Sequence, residues 1–489
     1  MRTDQSAPVH VHAFECLRSA GASWSPPVLS LRMTFLRALR VAGLLAPLMC
    51  FGCEGSSSND YRVEVVYPSG ENPFIRYALD QVTVQIQAED GDISEQTTSA
   101  RGDGFMLRFP LESTDFEMQV RVEVTGETRL FGGPPLFRLD DVLGFLRIPV
   151  GEPGTCEVLE WLSLAVPRVD MAFAAPGGFA MAFGGNASTA TEDVIDALDL
   201  LWLRDSTEPL SFLPLGKWNA AAFDATRALA HSSSGAFYAV DLRVNSERVR
   251  EIHFGLSDYE EVAVLSKPGG GVVVVAGDQL AVADAQHEVE AWETTVRVQE
   301  LKSYRSSPTA VVLEEAVWIS GAGEGARLLE RASFDGSSEP RTEQMAPARQ
   351  GTHLFGDGDV FWILGGEGED GLPHRDILRL QGCADFCEPS PSLEWPQARS
   401  RMAVLQTSGG GYLIGGQDAD GEPSDLVEYV DLHSEQIRAM GPLRHPRTGA
   451  GAARLASGVM LVVGGLGVDG AARADVEICF PESLEPLIP

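Results

Sequence analysis

Apolar and polar residues alternate with a period of two over four early stretches: YRVEVVYP from Tyr61, QVTVQIQAED from Gln81, GFMLRFPL from Gly104 and FEMQVRVEVTGE from Phe116. Such a period sends successive side chains to opposite faces, so each stretch reads as a strand with one buried face. Clusters of Gly, Pro, Asp and Ser separate them, which predicts a small antiparallel β-sandwich over 61–152. The pattern then changes. Short uninterrupted apolar runs recur, among them Val272–Val275, Phe361–Leu364 and Met460–Val463. Runs of that length, bounded by Gly, suit strands covered on both faces.

These later runs belong to a repeat. VFWILGGEGEDGLPHRDILRL from Val360, GGYLIGGQDADGEPSDLVEYVD from Gly410 and GVMLVVGGLGVDGAARADVEICF from Gly458 align almost without gaps. Each carries an apolar run, a Gly-Gly pair (Gly365/Gly366, Gly415/Gly416, Gly464/Gly465), an Asp-Gly, and an Asp opening the next strand (Asp376, Asp425, Asp475). Arg349, Arg399 and Arg447 precede the first Gly by 16, 16 and 17 residues. Arg168 and Arg305 stand 16 residues ahead of Gly184 and Gly321, while GGGVVVVAGD and RALAHSSSGAFYAVD are looser copies. Between Gly184 and Gly464 the spacing averages about 47 residues over six intervals, which makes seven units.

Apolar strand, Gly-Gly, variable loop, a strand with the pair Glu428-Tyr429, and Trp161 and Trp395 ahead of the following units: this resembles the kelch family over about 155–482. The resemblance is specific for the last three units and looser before them. It implies four-stranded blades and an all-β fold, a kelch-like β-propeller of seven blades, or six should the second unit not count, preceded by the sandwich.

The amino terminus reads as an address. In residues 1–52, Arg37 and Arg40 precede an apolar stretch of about a dozen residues, too short to span a bilayer, with Met33 as a second candidate start. Cys50-Phe51-Gly52-Cys53 resembles the lipobox of bacterial lipoproteins; Gly52 fits, while Cys50 and Phe51 depart from the usual Leu and small residue. The resemblance implies acylation of Cys53, with 53–60 as a Ser-rich tether. An exported protein of the cell envelope is expected, at the outer membrane or cell surface, touching membrane through its lipid alone.

Charge sharpens the picture. The chain has 37 basic and 70 acidic residues, net −33, and after residue 52 the balance is 32 to 68. That excess excludes nucleic acid as a partner. Four cysteines follow the leader: Cys156, Cys383, Cys387 and Cys479. In an oxidising compartment an even four reads as two disulfides with three possible pairings. The propeller implied by the resemblance selects one pairing. The last unit supplies three strands before the chain ends, so 156–164 is expected to complete it, antiparallel to Val476–Phe480. Cys156 then meets Cys479 and Cys383 meets Cys387.

Catalytic motifs are missing. The seven later histidines are scattered, and neither H-x-H, H-E-x-x-H nor G-x-S-x-G occurs. In a propeller the connections between second and third strands share one face with those linking units. The acidic segments after the Gly pairs (Glu367, Glu369, Asp370; Asp418, Asp420, Glu422; Asp469) are therefore expected on one rim. Asp-Gly is also ordinary turn chemistry. As a site, the rim suits Ca²⁺ or a basic partner; no other cofactor or metal is implied. The expected function is a non-catalytic binding scaffold with a protein or glycan ligand. The alternative is an extracytoplasmic enzyme at the channel, galactose oxidase-like or glycan-acting.

Overall fold

The computed structural model describes residues 60–482 apart from 71–72, 88–92, 100–104, 109–116, 135–136, 139–144, 176–178, 186–192, 200–203, 206–211, 214–217, 223–226, 233, 242–248, 257–258, 260, 269, 285–288, 314–315, 322–327, 336–340, 345–348, 358–359, 369–371, 382–389 and 408. The leader, the tether to residue 59, Cys53, Cys383, Cys387, Glu369 and Asp370 lie outside the described residues. The described residues form one compact unit.

Strands β1 (Asp60–Val66), β2 (Leu79–Gln87), β3 (Ile93–Ser99), β4 (Phe105–Arg108), β5 (Glu117–Gly126), β6 (Arg129–Gly132), β7 (Phe137–Arg138) and β8 (Phe145–Gly151) come first. They build one sheet in the order β3-β2-β5-β6-β8-β1-β4, with β7 beside β5. Alternate residues face a single core: Val63 and Val65, Val82, Val84 and Ile86, Val120, Val122 and Val124, Leu146, Ile148 and Val150. The sheet therefore curves around its own interior. It departs from the expected antiparallel arrangement at one place, where β1 and β8 pair in parallel.

Strand β9 (Thr155–Arg168) leads into seven small antiparallel sheets among the described residues. Their first strands are Ala172–Ala174, Trp218–Ala222, Val262–Ser266, Pro308–Leu313, Gln350–Asp357, Ala403–Thr407 and Gly451–Arg454. Neighbouring sheets pack on one another in chain order, and the first packs beside the last. This is an all-β, propeller-like fold. The loosest copy in the sequence, from Arg227, forms a four-stranded sheet like the one that follows it. Second strands such as Gly271–Ala276 and Met460–Val463 are buried at every position, which explains their unbroken apolar runs.

The last sheet takes its fourth strand from β9, which runs antiparallel to Arg473–Phe480 with Cys156 opposite Cys479. The two cysteines are joined in a disulfide across 323 residues of sequence. The β1–β8 sheet rests on this closing sheet. Phe131 meets Phe480 edge-on at 6.0 Å, and the buried Ser457 Oγ donates to the Gly133 carbonyl at 3.1 Å.

Candidate functional site

The arginine that opens five of the units is a buried staple. Arg168, Arg305, Arg349, Arg399 and Arg447 are at most 3% exposed. Arg168 and Arg447 donate to the carbonyls of Gly184 and Gly464 at 2.6 and 2.8 Å, which is why the spacing to the Gly pair is constant. Both glycines of each pair have positive φ, 60° and 97° at Gly415 and Gly416, a conformation that side chains oppose. A buried guanidinium requires a counter-charge. Arg305 bonds Glu330 at 3.0 Å, Arg349 bonds Asp376 at 2.6 Å and Arg399 bonds Glu428 at 2.8 Å.

In the last unit Arg447 reaches both Asp475, at 2.6 Å, and Glu477. His445 Nδ1 lies 2.9 Å from Asp475 Oδ2. Burial alone would raise the Asp475 carboxyl, but the Arg447 charge and bonds from His445 and Arg447 hold it down at about 2. His445, Asp475 and Glu477 are the one trio of metal-ligand type gathered within 4.8 Å among the described residues. The Arg447 guanidinium already bonds both carboxylates, so the trio works as part of the staple.

Two residues beyond four of these five arginines the backbone turns left-handed: φ is 54° at Asp170, 64° at Gly351, 49° at Arg401 and 62° at Gly449. The Asp170 N–H donates to Gly449 O at 2.9 Å and the Gly449 N–H donates to Arg401 O at 3.0 Å, linking the first, seventh and sixth units. Above this chain Arg401 and Asp170 form an ion pair. A Cβ on Gly449 would lie 2.3 Å from Asp170 Oδ1, so only glycine fits beneath. Glu367, half-buried, adds its field at Arg401.

The acidic segments project as turns. Asp418 Oδ1 accepts from the N–H groups of Asp420 and Glu422 at 2.9 and 3.0 Å, and Asp469 Oδ1 accepts from Ala471 N–H at 3.1 Å. Gly421 and Gly470 take φ of 83° and 70°. Part of the acidic pattern is therefore turn geometry. Asp418 and Asp420 also line a cleft of about 480 Å³ between the fifth and sixth sheets. Its other walls include Leu372, Arg375, Pro396, Leu426 and the buried Arg399. Leu372 is 50% exposed beside it.

Of the predicted rim, Asp418 and Asp420 share the cleft, Glu367 faces Arg401, and Glu422 and Asp469 stand exposed on their own turns. Sequence reading missed Asp170, Arg401 and Leu372. The first two could have been found by aligning the position two beyond each arginine, where Asp170 and Arg401 replace Gly351 and Gly449. Leu372 carried no signal.

No family model matches the chain, and no curated protein matches it. Among solved structures, one described as the structure of YjhT shares 12% identity, covering 64% of this chain and 95% of that one, with a TM-score of 0.39. A likeness so distant carries neither fold nor function across; the propeller-like class rests on the seven sheets themselves.

Proposed function

We propose that this chain is a seven-bladed kelch-type propeller lipoprotein, acylated at Cys53, that serves as a non-catalytic binding scaffold of the cell envelope. The observation that carries the reading is the cleft beside Asp418 and Asp420. Its volume falls in the range of about 300–1,000 Å³ common for ligand sites, and it mixes apolar walls with a few charged groups. The surrounding charge of the chain, net −33, favours a basic protein as its occupant. The lipobox-like Cys50-Phe51-Gly52-Cys53 and the serines after it supply the anchor.

The test compares the full chain with its D418K/D420K variant, both expressed with the leader in an exporting bacterial host. In-envelope crosslinking and mass spectrometry should identify partners whose recovery falls about tenfold or more in the variant, a loss of about 1.4 kcal/mol, while its melting temperature stays unchanged. An identical partner profile rejects the cleft. Palmitate labelling that survives Cys53→Ser rejects the anchor.

A further inference from the structure

The third unit presents a different surface on the same face. Its second and third strands, Gly271–Ala276 and Gln279–Asp284, are joined by Gly277-Asp278 alone, so no loop rises there as it does at 415–426. The Tyr259 ring packs against this turn: a Cβ on Gly277 would sit 2.3 Å from it. Its hydroxyl donates to Asp278 Oδ1 at 2.7 Å, which fixes an exposed carboxylate. Tyr304 stands beside Tyr259, ring centroids 6.2 Å apart and planes tilted by 45°. Tyr304 precedes the staple Arg305, a position held by Pro167, Ala348, Ala398 and Pro446 in other units. Here an aromatic replaces a small residue and stays 48% exposed.

A pair of tyrosine rings, one of them bonded to a carboxylate, makes a site for an organic cation, since the ring faces and the carboxylate carry the same sign of potential. We infer that Tyr304, Tyr259 and Asp278 form a second docking point, which takes an arginine or lysine side chain of a basic partner. This inference rests on the binding reading above and names the chemistry of the partner. Lys302, exposed nearby, opposes such a ligand and so reports its sign.

The test uses the full chain carrying D418N/D420N, so that the cleft does not contribute. Calorimetric titration compares an octapeptide of alternating Gly and Arg, its Glu counterpart, and maltoheptaose. The Arg peptide alone should bind. Tyr304→Ala and Asp278→Asn should each weaken it about threefold to tenfold, Tyr304→Phe should retain it, and Lys302→Ala should tighten it. Preference for the Glu peptide or the oligosaccharide, no binding at all, indifference to Tyr304→Ala, or weakening by Lys302→Ala overturns the assignment. Any of these leaves the cleft between the fifth and sixth units to its own test.

Discussion

His231 shows how one side chain couples this fold to pH. It is 1% exposed in the second sheet, its ring against Phe237 at 4.6 Å between centroids. Burial disfavours the charged imidazolium and pushes its pKa down to about 4, against a backbone hydrogen bond involving Tyr259 that raises it. An unfolded chain protonates this group near pH 6.5, whereas the folded chain waits until about 4. Between those values the unfolded state binds more protons, so stability falls as pH falls, by about 3 kcal/mol at the lower end. His353 is pushed down to about 4 by burial and acts in the same direction. Urea midpoints at pH 7 and pH 4.5 should therefore separate widely for the natural chain and less for His231→Leu. Equal separations would show that His231 is protonated without penalty. In the sequence His231 was one of seven scattered histidines. Nothing in RALAHSSSG marked it as buried, because this copy of the repeat has lost its glycines.

At the level of the element, the repeated unit is a strand end pinned by an arginine. The constant spacing from arginine to Gly pair was legible because a backbone carbonyl is its target, and carbonyls recur at every residue. The counter-charges were only half legible. Asp376 and Asp475, read as residues that open a strand, do pair with Arg349 and Arg447. In the sixth unit Arg399 passes Asp425 and pairs with Glu428, which also accepts from Trp395 Nε1 at 2.9 Å. A longer side chain further along the strand reaches the same point, and a one-dimensional alignment does not register reach. The energetic expectation is asymmetric. Glu428→Ala should lose about 3–5 kcal/mol by stranding a guanidinium, whereas Arg399→Met with Glu428→Leu should lose less than that single change. Guanidinium denaturation of Glu428→Ala and of the double compares the two; a double variant weaker than Glu428→Ala would mean that the pair itself, not its charge balance, holds the unit.

For the whole molecule, closure was legible while the seat of the first sheet was not. Three strands left over at the end and one spare strand before the first unit sufficed to place β9 against Arg473–Phe480. The contacts of Phe131 and Gly133 with Phe480 and Ser457 join segments more than 300 residues apart and follow no periodicity. Strand β9 thus serves two ends: it closes the ring, and its entry carries the β1–β8 sheet. Beside the disulfide, Gly441 N–H donates to Gly154 O at 2.7 Å and Arg444 bonds Glu157 at 3.1 Å, so the junction has non-covalent support as well. The Cys156–Cys479 bond closes a loop of 323 residues, long enough for the unfolded chain to lose about 6 kcal/mol of conformational freedom. Reductant should therefore lower the denaturant midpoint of the natural chain, and Cys156→Ser with Cys479→Ser should match the reduced protein. Because the β1–β8 sheet rests on the same closing sheet, its protease resistance should fall in step. If reductant still destabilises the double serine variant, a second bond, the expected Cys383–Cys387, contributes; if it destabilises neither protein, the non-covalent junction alone holds the ring.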